Sequence, residues 1–161
     1  MTAARTGRVH QVSVSGGGVP KTAVDHAHVT LAGLAGDAQR DTRHHGGPDR
    51  AVCLFSLDVI HRLRAEGHPI APGTAGENLT LAGLEWACLA PGDRLVFDAG
   101  PTLEIASYTR PCATIRGSFA DGAVSRIHQG EHPGESRLCA RVLVEGTVRP
   151  GQPVLHEPRR A

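Results

Sequence analysis

At 161 residues, 40% hydrophobic and 20% charged, the chain has the make-up of one globular domain large enough to bury a core without staples. A formal net charge of +1 and only one Trp, one Tyr and three Phe exclude the basic, stacking-rich surface that nucleic acid binding needs. Gly (20) and Pro (11) make up about a fifth of the chain, which reads as many turns between short elements.

Residues 1–14 contain no apolar signal-like core, and no later run reaches the length of a membrane span. A cytoplasmic protein without a membrane partner is the expectation. There Cys53, Cys88, Cys112 and Cys139 are expected to be reduced, and none forms a C-x-x-C pair.

Residues 8–15 alternate, with Val12 and Val14 against polar neighbours, and read as a strand. They run into Gly16-Gly17-Gly18-Val19-Pro20-Lys21. The bare backbone of this loop can form an anion nest with Lys21 at its edge, or it is a plain hairpin connection. It is not a P-loop, because no G-K-[ST] leads into a helix. Residues 23–31 read as a second strand, ending at Gly33-Leu34-Ala35-Gly36-Asp37. The loop 41–50 then gathers His44, His45, a Gly46-Gly47-Pro48 turn, Asp49 and flanking Arg43 and Arg50. Its composition suits a binding loop and a solvated turn equally. A zinc site from His44, His45 and Cys53 fails on spacing, since adjacent histidines point in different directions and no ligand frame follows.

The apolar run 51–55 reads as a buried strand. Ser56 is a helix cap, with Asp58 in the first turn, Leu57, Ile60 and Leu63 on one face, Arg62 and Arg64 near the end, and Gly67 as the stop. His61 falls on the solvent side. Within 70–84, Glu77 and Asn78 stand between a glycine and an apolar strand, so their side chains are expected to bond backbone or ligand. Pro91-Gly92-Asp93 turns into a strand, and 102–106 is the next. Residues 117–136 read as a polar loop with one short helical turn. Strands at 138–145 and 148–154 close the chain, the last around Pro150-Gly151. Seven to nine short strands and one helix predict a mainly β barrel or sandwich. No repeat or linker divides it, so residues 1–161 are read as a single domain.

Ser107-Tyr108-Thr109-Arg110-Pro111-Cys112 is the stretch with most chemistry. Proline fixes its own φ and pushes Arg110 toward an extended shape, so the segment is held open. A guanidinium two residues from a thiol favours the thiolate, the form that attacks substrates and binds soft metals. The plainer alternative is a small buried hydrophobe, as most free cysteines are.

Taken in order, Gly17-Gly18-Val19-Pro20-Lys21, Gly33-Leu34-Ala35-Gly36-Asp37, His45-Gly46-Gly47-Pro48-Asp49-Arg50, Gly76-Glu77-Asn78-Leu79, Pro91-Gly92-Asp93-Arg94-Leu95 and Arg110-Pro111-Cys112 resemble a MOSC domain of the stand-alone bacterial type. That module also forms the C-terminus of molybdenum cofactor sulfurases. The likeness runs from about residue 8 to 154, and 140–151 is similar to the family's last strands. It implies a MOSC-type β-barrel, pyruvate-kinase-barrel-like, with one or two short helices. It also implies a molybdenum cofactor (molybdopterin) held through its pterin phosphate and dithiolene.

In members that reduce N-hydroxylated compounds, the cysteine of the Arg-Pro-Cys motif ligates molybdenum. Carried over, Cys112 is the metal ligand and catalytic residue. By the same resemblance, Gly17, Gly18 and Lys21 meet the cofactor's phosphate and Arg110 holds phosphate or pterin. His45, Asp49 and Arg50 line the pocket, and Asn78 bonds the pterin or orients a neighbouring loop. The implied function is reduction of N-oxygenated small molecules with electrons from an external redox protein, since no flavin or Fe–S motif is present. The alternative is a sulfur carrier that takes a persulfide on Cys112 from a cysteine desulfurase. Pyridoxal phosphate is not expected, because Lys21 is the only lysine. The chain departs from the family pattern at Gln152, where an Asp is more usual, and shows neither the extra helical region nor the second barrel of some relatives.

Overall fold

The structure, a computed structural model, describes residues 5–38 and 47–160. Its long first strand, β1 (Thr6–Val14), buries Val9 and Val12 and pairs on both edges. The next strands are β2 (Thr22–Val24), β3 (Ala27–Thr30), β4 (Gly33–Leu34) and β5 (Val52–Ser56). Helix α1 (Leu57–Ala65) follows, then β6 (Leu79–Ala82), β7 (Arg94–Phe97), β8 (Thr102–Tyr108), β9 (Leu138–Val144), β10 (Gly146–Val148) and β11 (Pro153–Glu157). The main sheet runs β11-β7-β8-β9-β5-β6-β1, and β1 pairs again with β11, so seven strands close into a barrel. Closure removes the free edges that an open sheet of this composition would expose.

The barrel is antiparallel except between β5 and β6, where Leu54 lies opposite Leu79 in a parallel pair. A parallel pair needs a crossover, and α1 with the loop 66–78 supplies it. The helix begins as its sequence dictates: Ser56 Oγ accepts from the Val59 N–H at 3.1 Å, and Val59, Ile60 and Leu63 are its buried residues. Its His61 is exposed. Phe55, Leu79, Leu95, Phe97, Leu103 and Ile105 fill the core. At the end of β7, His156 and Asp93 form a buried pair at 2.8 Å that fastens β11 to the Pro91-Gly92-Asp93 turn.

Two strand expectations are corrected. Residues 23–31 do not form one strand: the chain breaks at Asp25-His26, leaving β2 on the barrel and β3 in a small second sheet, β10-β3-β4. Residues 148–154 likewise split, because the turn at Arg149 to Gln152 carries the chain from β10 in the small sheet to β11 in the barrel. In both places the β-forming composition is correct, and the sheet each half joins is set by distant partners. The strand predicted at 102–106 continues to Tyr108, with register shifts between Thr102 and Leu103 and between Ile105 and Ser107. Bulges of this kind bend a strand and re-aim its end. Here that end leads into Cys112.

Beyond Cys112 the chain forms two 3-10 turns: Val124–Ile127 is the short helical turn expected within 117–136, and Ala113–Ser118 begins before that span. This excursion is fastened to the end of α1. Arg126 donates to Glu66 at 2.7 Å and to Glu135 at 2.9 Å. The His68 ring accepts from the Ala120 N–H at 3.1 Å and meets Phe119 edge to face.

Candidate functional site

Three loops meet at one end of the barrel around the carboxylate of Asp37. Its Oδ1 accepts from Lys21 Nζ at 2.7 Å and from the Ser15 N–H at 3.0 Å; Oδ2 accepts from Lys21 Nζ at 2.8 Å and from Asn78 Nδ2 at 2.9 Å. The ion pair is largely buried, with side chains 9% (Lys21) and 5% (Asp37) exposed. Asn78 reaches further. Its Oδ1 accepts from the Cys53 N–H at 3.0 Å, and Nδ2 also donates to Ser13 O at 3.3 Å. The Asn78 side chain thus bonds backbone, as expected for a polar residue between a glycine and a strand, and its backbone partners lie in β5 and β1.

The glycine loop is tied to the same network. Gly17 and Gly18 take positive φ, of 137° and 76°, which glycine adopts without steric cost. Gly17 N–H donates to Ser15 Oγ at 3.2 Å, so it is already engaged. Lys21 N–H donates to Gly73 O at 2.9 Å. Gly73 has φ +87°, and a Cβ there would collide with the Lys21 carbonyl, so only glycine lets these two loops meet.

The Cys112 segment is clasped from the other side. The Thr109 N–H donates to Arg137 O at 2.9 Å, and Arg137, itself buried, donates from Nη1 to Ala75 O at 2.8 Å and from Nη2 to Arg110 O at 3.5 Å. One arginine therefore bridges the loop before Glu77 and the loop before Cys112. Cys112 is half-buried in extended backbone (φ −136°, ψ 169°), and Arg110 is exposed beside it. A pocket of about 330 Å³ opens against the turn that follows Cys112, lined by Ile115, Gly117 and Ser118 on one side and by Val19, Pro20 and Thr74 on the other. Ser118 Oγ donates to Thr74 Oγ1 at 3.0 Å across it. A Cβ added at Gly117 would meet nothing within 4 Å, so open space lies at its Cα.

Glu77 is fully buried. Burial pushes its carboxyl above the usual range, against the pull of hydrogen bonds from the Gly73 backbone, its own backbone and Thr80, and of the Arg137 charge. Its Oε1 and Arg137 Nε have no partner among the described residues. Burial likewise pushes the Cys53 thiol up to about 12, opposed by Arg137 and Lys21 and reinforced by Cys139 and Glu77.

Of the residues singled out from sequence, Gly17, Gly18, Lys21 and Asn78 come together through Ser15 and Asp37. Cys112 and Arg110 join the same end of the barrel through Arg137. Asp49 lies apart: it is largely exposed and accepts from Arg141 Nε at 3.0 Å, with Arg141 also bonded to Glu104. Arg50 ends the same short turn, Pro48–Arg50. His45, with His44 of the zinc alternative, lies outside the described residues. Sequence reasoning assigned no role at the site to Asp37, although its motif was noted, and none to Arg137. No local signal marks Arg137, since an arginine heading an alternating strand reads as solvated.

With this geometry in view, comparison with known proteins is informative. Residues 41–155 match the MOSC domain model, and the chain belongs to that family. It is 33% identical over 117 residues to the uncharacterized protein YflK of Bacillus subtilis, covering 72% of this chain and 52% of that one. It is 28% identical over 131 residues to protein YiiM of Escherichia coli, covering 78% and 57%. The chain thus spans little more than half the length of these two relatives. Among solved structures, the YuaD protein of Bacillus subtilis superposes with a TM-score of 0.77 at 17% identity, over 99% of this chain and all of that one. YiiM of Escherichia coli superposes with a TM-score of 0.69 at 24% identity, over 96% and 71%. These likenesses establish the fold of the mainly β barrel.

Two consequences are measurable. Asp37→Ala strands a buried ammonium, so chemical denaturation should show a loss of about 3–5 kcal/mol. Replacing Lys21 by Met in the same chain should recover part of it, and equal stability of the single variant and the parent would contradict the network. For Glu77, a raised carboxyl in the folded state means that the native protein holds more protons than the unfolded chain above the ordinary glutamate value of about 4.3. Stability supplied by this group is therefore full below that pH and declines as pH rises toward the folded value. Glu77→Gln should flatten that decline in denaturation curves taken at successive pH values.

Proposed function

We propose that this chain holds a molybdenum cofactor through Cys112 and reduces N-oxygenated small molecules, with electrons from a separate redox protein. The observation that carries this reading is the half-exposed thiol of Cys112, held in extended backbone where its loop meets the turn that walls the 330 Å³ pocket. Family membership supports the cofactor class.

The residues present fit such a group. A thiolate is a soft ligand suited to a metal already bound by sulfur. The buried Arg137 Nε, without an acceptor among the described residues, and the exposed guanidinium of Arg110 offer N–H groups to an anionic moiety. Lys21 is the weaker phosphate partner, because Asp37 already neutralises its ammonium. When bound, the cofactor supplies a two-electron centre that accepts the substrate's oxygen atom. The chain's own residues do the rest. Arg137 fixes the Cys112 loop through the Arg110 carbonyl, the pocket walls of Val19, Pro20 and Ile115 shed water, and Ser118 Oγ, whose proton goes to Thr74, keeps acceptor capacity for a substrate N–H or O–H. The cysteine desulfurase partner of the sulfur-carrier alternative would meet the same half-buried cysteine.

Expression in a host that makes the cofactor, followed by elemental analysis, should give stoichiometric molybdenum in the parent chain and little in Cys112→Ala. Molybdenum absent from both, with an added sulfur on Cys112 after incubation with a cysteine desulfurase, would replace this reading by sulfur carriage. In the loaded protein, Gly117→Val adds a side chain to the pocket lining at a position where a Cβ meets nothing within 4 Å. It should lower kcat/KM for an aryl hydroxylamine by about tenfold or more while leaving molybdenum content unchanged.

A further inference from the structure

Cys53 and Cys139 face each other across the antiparallel β5–β9 pair, in direct register. Both backbone groups of Cys53 are turned the other way: its N–H donates to Asn78 Oδ1 at 3.0 Å, and its carbonyl accepts from the Asn78 N–H at 2.8 Å. Toward β9 the two cysteines therefore form a non-hydrogen-bonded pair, in which opposing Cα atoms lie about 4.5 Å apart and side chains approach most closely. Disulfides span Cα separations of about 4.4–6.8 Å, so this register admits one without moving the strands. Both thiols are free. Strand alternation turns Cys53 away from the fully buried Val52 and Leu54, and hence onto the outer face of the barrel. There Thr109 Oγ1 lies 3.1 Å from Cys139 Sγ, three residues before Cys112.

We propose that Cys53 and Cys139 are a modification site, a dithiol that a peroxide closes to an intrachain disulfide, and that closure weakens the hold on Thr109 and loosens the loop carrying Cys112. The chemistry balances with the peroxide as oxidant. The Cys139 thiol and hydrogen peroxide give a sulfenic acid and water; the Cys53 thiol then displaces that hydroxyl, forming the S–S bond and a second water. The sulfurs lose two electrons and the peroxide gains them. Either thiol can take the peroxide, since the two residues stand directly opposite each other and the second step is the same from either side. Once Sγ of Cys139 is bonded to Cys53 it carries no S–H to donate to Thr109 Oγ1, so the contact keeps only the hydroxyl as donor to a weakly accepting sulfur. Thr109 is then held chiefly by its backbone, its N–H donating to Arg137 O and its carbonyl accepting from Ser136 Oγ at 3.3 Å.

The test uses the full chain with Cys88→Ser and Cys112→Ser, so that only the pair can react. After treatment with hydrogen peroxide and quenching with N-ethylmaleimide, non-reducing peptide mapping should find residues 53 and 139 in one cross-linked species that a reductant separates. Amide hydrogen exchange over 107–112 should rise about threefold or more in the oxidised chain. Cys139→Ala deletes the same Thr109 contact without oxidation and should raise exchange there in untreated protein. Both thiols still open to N-ethylmaleimide on unfolding, a cross-link with unchanged exchange, or unchanged exchange in Cys139→Ala would each overturn the proposal.

Discussion

The carboxylate of Asp37 is the constraint on which this end of the molecule depends. It gathers one ammonium, one side-chain amide and one backbone N–H, contributed by Lys21, Asn78 and Ser15. Ser15 and Lys21 stand at the two ends of the glycine loop and Asn78 in a distant stretch, and Asn78 passes the connection on to β5 through Cys53. A buried ion pair contributes little net stability against an apolar substitute, but it specifies geometry, since each charge has few other places to go. In this barrel that geometry is the relative placement of the glycine loop and the parallel β5–β6 seam.

The second clasp, Arg137, works by another route. Its guanidinium binds two main-chain carbonyls, Ala75 and Arg110, and so fixes backbone. Together the two clasps frame the half-exposed Cys112 thiol between loops that are distant in sequence. The buried Glu77, Asn78 and Thr80 show how little solvent reaches this seam. The pocket next to it takes its walls from the glycine loop and from the turn after Cys112. Any change in how the Cys112 loop is held is therefore felt at the pocket as well, which gives the Cys53–Cys139 register its interest.

The elements legible in the sequence are those governed by local chemistry. The Ser56 cap, the stop at Gly67 and the apolar face of α1 are short-range, and the alternation of residues 138–145 marks β9 as a half-buried strand. The extended shape at Arg-Pro-Cys follows from one proline. Arg137 was not legible, because its burial comes from the loops at Ala75 and Arg110 folding over it. Lys21 was legible as a cation beside a glycine nest, but its partner lies sixteen residues on and meets it only when β3 and β4 turn back.

By itself, the sequence determined a mainly β chain with one capped helix, an open cysteine loop and a set of motifs in an order that resembles the MOSC family. The first three follow from propensity, periodicity and residue chemistry within a few positions, and the last is a resemblance carried by the motifs themselves. Only the tertiary structure decided that 23–31 and 148–154 each divide between two sheets, that Asp37 claims Lys21, and that Asp49 pairs with Arg141 on the outside. It also decided that Cys53 and Cys139, far apart in the chain, stand opposite each other. The reason is the same in each case: strand pairing and ion pairing are chosen between partners that closure of the barrel brings together, and no local pattern encodes which partners those are.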